Sequence, residues 1–191
     1  MDLILASQSP RRRELLSRLG LEFTVRTAEH DETMDPAAAP FDEVARVSRL
    51  KAYAVQALCP ADELILAADT VVVCDGQILG KPRSAADAER MLRLLSDRAH
   101  QVMTGLTLLR GERCRSTTVV TDLRFRALSD GEIAAYVASG EPMDKAGAYG
   151  IQGLASIFVS ELHGDYYNVM GLPLCTLAQR LRDFGVKLLG E

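Results

Sequence analysis

The chain has 191 residues, of which 48% are apolar and 25% are charged, and its formal net charge is -4. This length allows one buried core, so we expect a single domain over residues 1–191. The acidic balance gives no support for binding a polymeric nucleic acid, which favours a basic protein. No stretch reaches the roughly 20 apolar residues of a membrane helix, and the short apolar N-terminus does not resemble a secretory signal.

The cysteines and histidines are too scattered to indicate a disulfide framework or a zinc site. The four cysteines lie far apart and form no CxxC pair, which is typical of reduced thiols in a cytoplasmic protein. The three histidines lack the spacing of a zinc-binding motif. We therefore expect a cytoplasmic protein that does not bind a membrane or zinc.

Strands and helices are predicted to alternate along the chain. Apolar patterns, capping residues and turn signals predict the individual elements. In chain order they are a strand at 3–6, a helix at 10–19, a strand at 22–27, a loop at 28–40, a helix at 42–58, strands at 64–74 and 77–79, a helix at 85–95, strands at 101–109 and 116–126, a helix at 130–139, a strand at 157–162 and a helix from 173. Asp75-Gly76 is a favoured hairpin turn. Because hairpins lie among crossover connections, we predict an α/β fold with a mixed central sheet and flanking helices.

Arginines fill the first turn of the helix at 10–19. Arg11, Arg12 and Arg13 follow Ser7, Ser9 and Pro10. The helix dipole is already positive there, so each cation is unfavourable by roughly 0.3–1 kcal/mol. A bound anion would resolve this conflict, and phosphate is the common ligand of a helix N-terminus. The alternative is that the arginines extend into solvent or meet Glu14.

Lys51 and Asp69 are charged residues in apolar surroundings. Lys51 falls on the apolar stripe of the helix at 42–58, where it either extends its charge to the edge or meets an anionic partner, and the local pattern favours the first. Asp69 interrupts the apolar run at 64–74, where a carboxylate is costly to bury unless it is paired or binds metal. Asp69 therefore indicates a functional site. The alternative is that it ends one strand before another begins at Thr70.

Two loops complete the candidate site. Lys81 is held between a glycine and a proline, and the glycine-rich loop at 146–153 lets backbone approach a ligand. Neither loop matches a dinucleotide or P-loop motif. The cations suit phosphates, and Asp31, Glu32 and Asp69 suit a hard metal ion. This set fits hydrolysis of a phosphoanhydride better than acyl transfer, because no GxSxG or Cys/His signature occurs.

Several motifs, in chain order, resemble the Maf family of nucleoside triphosphate pyrophosphatases. They are LILASQSPRRRELL, the pair Asp31-Glu32, AADTVV, GKPRS, DKAGAYGIQG and VMGLPL, and together they cover essentially the whole chain. The resemblance implies an elongated, two-lobed domain with a fold like that of inosine triphosphatases. It also implies hydrolysis of the α–β anhydride of a nucleoside triphosphate with a divalent cation, Mg²⁺ or Mn²⁺.

The resemblance implies roles for individual residues. Asp69 matches the general base of the family, and with Glu32 it would hold the metal. The residues that match substrate-binding positions are Ser7, Ser9, Arg11, Arg12, Lys51, Thr70, Lys81 and Gln152. Of these, Arg11, Thr70 and Gln152 look like the dTTP/UTP class, whereas the 7-methyl-GTP class typically has a different residue at each position. A glutamine offers both a donor and an acceptor to the edge shared by uracil and thymine.

These observations predict an enzyme that converts dTTP and UTP to the monophosphate and pyrophosphate, as a house-cleaning activity. Two alternatives remain open at this point. One is a pyrophosphatase for 7-methyl-GTP or another modified nucleotide, and the other is a non-catalytic regulator of septum formation. The sequence does not fix the oligomeric state, and a homodimer is one option.

Overall fold

The computed structural model describes residues 3–35 and 37–189, which contain a seven-stranded mixed sheet. Its strands are β1 (Leu3–Leu5), β2 (Phe23–Val25), β3 (Leu64–Cys74), β4 (Gln77–Leu79), β5 (Ala99–Arg110), β6 (Arg113–Phe125) and β7 (Val159–His163). The strand order is β2-β1-β3-β5-β6-β7, and β4 pairs with β3. β1 runs parallel to β2 and β3, and the other pairs are antiparallel. The predicted α/β fold with a mixed central sheet is confirmed.

Helices flank this sheet. They are α1 (Pro10–Ser17), α2 (Pro40–Gln56), α3 (Ala85–Leu95), α4 (Asp130–Ala138), α5 (Tyr166–Val169) and α6 (Leu174–Asp183). β3, β4 and α3 have the predicted bounds. The last strand begins at Val159 rather than 157, because residues 154–158 form a 3₁₀ turn, and the short α5 was not predicted. None of the described helices is long and apolar enough to cross a membrane.

The side chains of β3 alternate between the two faces of the sheet, as in any strand. The even-numbered Leu64, Leu66 and Val72 join the main core, with α1, α3, α4 and α6. The odd-numbered side chains lie under α2 in two smaller clusters, one containing Ile65 and Ala67 and the other Val71 and Val73. Asp69 belongs to this second face by its position. It therefore interrupts the apolar contact between α2 and the sheet.

One edge of β3 is unpaired around Asp69. β1 pairs with β3 only as far as Leu66, and β4 pairs with it only from Val72 onward. On the other edge β3 continues without a break, and Asp69 lies opposite Gly105 of β5. The alternative that Asp69 ends one strand is therefore wrong. A carboxylate is tolerated within this strand because the gap between β1 and β4 opens beside it.

Gly105 lets α2 approach the sheet closely. A Cβ atom at Gly105 would overlap the backbone carbonyl of Val44. We expect Gly105→Ala to reduce the free energy of unfolding by about 3 kcal/mol, because helix backbone cannot yield as a flexible side chain can. Urea denaturation measures this. In the control, Gly131→Ala in α4, the added Cβ meets no atom within 4 Å, so its stability should be unchanged or slightly higher. Equal stability of the two variants would contradict the close packing.

His100 lies in a buried aromatic cluster. Its Nε2 is 2.9 Å from the Tyr149 hydroxyl, and its ring packs edge-on against Phe125. Burial lowers the pKa of His100 from 6.5 to about 4, although a backbone hydrogen bond opposes the shift. The unfolded chain therefore binds a proton between these pH values while the folded protein does not. The contribution of His100 to the free energy of unfolding is therefore largest above pH 6.5 and is lost as the pH falls toward 4.

We expect the free energy of unfolding to fall by about 2–3 kcal/mol between pH 6.5 and pH 4.5, since one pKa unit corresponds to about 1.4 kcal/mol. This window lies above that of Glu43 and Glu132, whose pKa values of about 2 are lowered chiefly by Arg46 and Arg126. Urea denaturation at several pH values should show a flatter profile for His100→Gln. The control His163→Gln, at an exposed residue, should keep the wild-type profile. An unchanged profile in His100→Gln would contradict the assignment.

Candidate active site

A cleft of about 1410 Å³ opens beside the unpaired edge of β3. The start of α1, the segment after β2, the middle of β3 and the loops after β4 and α4 line it. It contains every residue to which the family resemblance assigns a role: Ser7, Ser9, Arg11, Arg12, Glu32, Lys51, Asp69, Thr70, Lys81 and Gln152. Residues that are distant in the sequence therefore meet in one hollow.

Two other candidates lie outside the cleft. Arg13 is exposed and borders a separate shallow depression beside β2, because one helical step turns it away from Arg12. Asp31 is also exposed, and its carboxylate accepts the backbone N–H of Thr33 at 2.8 Å. Hydrogen bonds from Thr33 hold the pKa of Asp31 below its usual value. The suggestion that Arg13 and Asp31 join the phosphate and metal ligands is therefore not supported by their positions.

Lys51 pairs with two carboxylates on the floor of the cleft. Its Nζ lies 2.6 Å from Asp69 Oδ1 and 3.0 Å from Glu32 Oε1, and only 11% of its side chain is exposed. The favoured interpretation, that Lys51 extends its charge to solvent, is wrong. The local pattern could not reveal that Asp69 lies under α2, where it supplies the anionic partner.

Glu32 connects this pair to the segment after β2. Burial acts to raise the pKa of Glu32, but the nearby positive charges of Lys51, His30 and Lys81 outweigh it and the net shift is downward. His30 Nδ1 lies 2.9 Å from the Ala28 carbonyl, which requires a proton on Nδ1. Its Nε2 lies 3.0 Å from Glu32 Oε1, so this contact is an ion pair only when both ring nitrogens carry protons. Glu32 thus lies near two lysines from other segments, Lys51 of α2 and Lys81 after β4, and near His30 of its own segment.

Arg12 anchors the N-terminal end of α1 to two other parts of the cleft. Its guanidinium donates to the Ser7 hydroxyl at 3.2 Å, the Thr70 hydroxyl at 3.0 Å and the Gly171 carbonyl at 2.8 Å. Burial lowers the pKa of Arg12, and the charge of Asp69 opposes the shift. Because a guanidinium has five N–H groups, two remain for a ligand. Arg12 therefore has a structural role that the sequence did not predict.

Thr70 is part of a directed chain of hydrogen bonds. The Thr104 hydroxyl donates to the Asn168 carbonyl at 3.1 Å, so it accepts from Thr70 at 3.0 Å. Thr70 in turn accepts from Arg12. Each hydroxyl has a single hydrogen, and both are used in this chain. Thr70 therefore shapes the cleft by holding Arg12, on the face of β3 opposite to Asp69.

Three charged residues for which residue type and spacing predicted no role also line the cleft: Arg83, Asp144 and Lys145. Asp144 accepts from Arg11 at 3.3 Å and from Lys145 at 2.7 Å, so one carboxylate contacts two cations. Lys81 and Arg83 lie exposed at the rim. Arg83 belongs to the GKPRS motif, and Lys145 to DKAGAYGIQG. The family motifs therefore already contained these residues, although residue type alone does not show that a residue binds a ligand.

The donor set fits a hard divalent cation only when a ligand completes the coordination. Within residues 3–35 and 37–189, no group of three or more His, Cys, Asp and Glu residues is arranged to hold a metal ion. Asp69 and Glu32 nevertheless converge, since both approach the Lys51 ammonium. Mg²⁺ commonly binds one or two carboxylates and takes its other ligands from phosphates and water. The two carboxylates therefore fit a metal that arrives with a phosphate-bearing ligand.

The chain is similar to proteins of one known family over most of its length. Residues 2–184 match the family described as Maf-like protein. The dTTP/UTP pyrophosphatase of Hahella chejuensis (strain KCTC 2396) is 48% identical over 188 residues, covering 97% of this chain and 94% of that protein. The dTTP/UTP pyrophosphatase of Symbiobacterium thermophilum is 50% identical over 184 residues, with coverages of 96% and 94%. The structure of the Staphylococcus aureus Ham1 protein has a TM-score of 0.52 at 14% identity, covers 97% of this chain and 100% of that one, and supports the fold alone.

Proposed function

We propose that this chain, which belongs to the Maf-like protein family, hydrolyses dTTP and UTP to the monophosphate and pyrophosphate. The observation that carries the proposal is the pairing of Asp69 with Lys51 at the floor of a cleft lined by cations. A triphosphate needs several positive groups, and its hydrolysis needs a group that accepts a proton from water. The presence of a carboxylate and several cations in one cleft supports both roles.

Asp69 acts as the general base in this mechanism. Lys51 holds Asp69 Oδ1 at 2.6 Å, so Oδ2 is the oxygen that takes a proton from the attacking water. The water oxygen forms a bond to the α-phosphorus. The bond from that phosphorus to the α–β bridging oxygen breaks, and its electron pair leaves with pyrophosphate. The products are a nucleoside monophosphate and pyrophosphate, which matches the activity in the relatives' names.

The cations of the cleft stabilise charge on the leaving pyrophosphate. Lys81 at the rim and the two remaining N–H groups of Arg12 are suited to the β- and γ-phosphates. Arg11 joins them by exchanging Asp144 for a phosphate oxygen. The Ser7 hydroxyl accepts the Ser9 N–H at 3.2 Å, and the Ser9 side chain accepts the Arg12 N–H at 3.5 Å. These bonds fix the backbone beside the phosphates at the start of α1.

Asp69 and Glu32 would hold Mg²⁺ or Mn²⁺ together with phosphate oxygens. When bound, such an ion neutralises phosphate charge and makes a coordinated water more acidic. Lys51 lies between the same two carboxylates, so it maintains their convergence before the nucleotide enters. We therefore expect pyrophosphate release to require an added divalent cation.

Gln152 is the residue we propose for recognition of the base. It is exposed on a turn that lines the cleft, and its amide can both donate to and accept from a uracil or thymine edge. Both bases present the same edge, so the residue does not separate UTP from dTTP. A purine such as 7-methylguanine presents a different edge and a larger ring system.

The proposed cellular setting is the cytoplasm, with residues 1–191 acting as one domain. All four cysteines are free thiols, which suits a reducing compartment. A nucleoside triphosphate is also a cytoplasmic metabolite. The partner that this proposal requires is the nucleotide itself.

A nucleotide panel tests the proposal. Pyrophosphate release is measured with Mg²⁺ or Mn²⁺ from UTP, dTTP, CTP, ATP, GTP and 7-methyl-GTP. We expect kcat/KM to be highest for UTP and dTTP. A preference for 7-methyl-GTP would show that the chemistry is right and the base wrong. No turnover of any nucleotide would contradict the enzymatic proposal and favour a binding role.

A further inference from the structure

Gln152 lies on a tight turn after α4. The Gly153 N–H donates to the Gly150 carbonyl at 3.1 Å, which places Ile151 and Gln152 at the two central positions of the turn. Ile151 is buried and Gln152 is exposed toward the cleft. The position of the Gln152 amide therefore depends on what holds the two ends of this turn.

Tyr136 and Glu141 hold both ends. The Gly150 N–H donates to the Tyr136 hydroxyl oxygen at 3.2 Å, and that hydroxyl donates to Glu141 Oε1 at 3.0 Å. The Leu154 N–H donates to Glu141 Oε2 at 3.0 Å. Burial raises the pKa of Tyr136, so its hydroxyl keeps the proton that it donates. A single side-chain pair therefore bonds to the backbone on each side of Gln152.

This pair is itself fixed by packing. Tyr136 is 3% exposed, and its ring meets Phe158 edge-on at 5.2 Å between centroids. A Cβ atom at Gly153 would overlap the Glu141 carboxylate, so the turn lies directly against it. The turn has little room to shift while both hydrogen bonds are kept.

We propose that Tyr136 and Glu141 are positioning residues that set base selectivity by fixing Gln152, an inference that rests on the proposed function. A glutamine amide can present its donor and acceptor in either order, so the residue type alone does not separate uracil from cytosine. Selectivity then depends on where the backbone holds the amide. The clamp, defined as Tyr136 and Glu141, supplies that constraint from outside the reacting centre.

Kinetics of clamp variants test the proposal. Tyr136→Phe removes both hydrogen bonds of the hydroxyl and keeps the ring. Glu141→Gln leaves one acceptor oxygen in place of the two carboxylate oxygens. We expect the ratio of kcat/KM for UTP over CTP to fall about 5- to 20-fold in each, the range for one or two lost hydrogen bonds. The loss should appear mainly in KM for UTP. The control Glu132→Gln makes the same charge change in α4, where Glu132 contacts Arg126 and Ser129, and should keep the wild-type ratio.

A double-mutant cycle separates positioning from other effects. Gln152→Ala should lower the UTP over CTP ratio, and Tyr136→Phe should lower it no further in that background. Additive losses would show that Tyr136 acts independently of Gln152 and would overturn the proposal. Wild-type selectivity in either clamp variant, or in Gln152→Ala, would also overturn it.

Amide hydrogen exchange tests the clamp without any nucleotide. The amides of Gly150 and Leu154 should exchange about tenfold faster in Tyr136→Phe and Glu141→Gln, respectively, than in the wild type, because each loses its acceptor. Unchanged exchange would overturn the clamp whatever the substrate is. Faster exchange in these variants, together with no pyrophosphate release by the wild type, would support the clamp and contradict the proposed function.

Discussion

Asp69→Asn is expected to lower kcat/KM for UTP by about 10²- to 10⁴-fold, the range associated with a positioned general base. Asparagine has nearly the same shape but cannot take a proton from water at neutral pH. Its amide also loses the charge that faces Lys51 at 2.6 Å. Lys51 keeps Glu32 as a partner, so the fold should survive. Steady-state pyrophosphate release measures the first effect, and urea denaturation measures the second.

Asp75→Asn is the matched control for this substitution. Asp75 follows β3 directly, is exposed and pairs with Arg98 at the surface. Its φ of 50° is in the left-handed region, which asparagine tolerates well. We expect wild-type activity and a stability change below about 1 kcal/mol. Asp69→Asn with activity within threefold of the control would exclude Asp69 as the base.

The elements that were predicted most accurately are specified by capping or turn residues that lie within a few positions of one another in the sequence. Ser84 caps α3 by accepting the Asp87 N–H, and Ser129 with Glu132 forms a capping box at the start of α4. The Asp75-Gly76 turn joins β3 to β4 as predicted. These signals are side-chain to backbone bonds that need no distant partner. The four-residue α5 was missed because so short a helix has no periodic pattern to detect.

The partners of the site residues could not be predicted, because they are contacts between residues far apart in the sequence. Composition and spacing do not reveal such contacts. The sequence identified Lys51 and Asp69 as anomalies, but not as each other's partner, since 18 residues separate them. Their pairing depends on how α2 lies across β3, which Gly105 permits by its lack of a side chain. Family resemblance supplied the residue set. It could not supply the division between Asp69 on one face of β3 and Thr70 on the other.

Arg12 shows most clearly how the contacts in the structure add to the role that the sequence predicted. The sequence predicted a phosphate ligand at the start of α1, and the structure adds three bonds from Arg12 to Ser7, Thr70 and Gly171. A group with both roles should affect stability even when no nucleotide is present. A residue that only binds phosphate should not, and this contrast can be measured.

Arg12→Lys is therefore expected to reduce the free energy of unfolding by about 2–4 kcal/mol in nucleotide-free protein. A lysine ammonium is a single point of charge and cannot donate to three acceptors arranged around a planar guanidinium. Hydrogen bonds from a charged donor contribute about 1.5–3 kcal/mol each, and lysine retains only part of them. The control is Arg13→Lys, the same substitution one residue along α1 at an exposed position, which should change stability by less than about 0.5 kcal/mol. If urea denaturation gives the two variants equal stability, the anchoring role of Arg12 is wrong and its contribution is confined to the nucleotide.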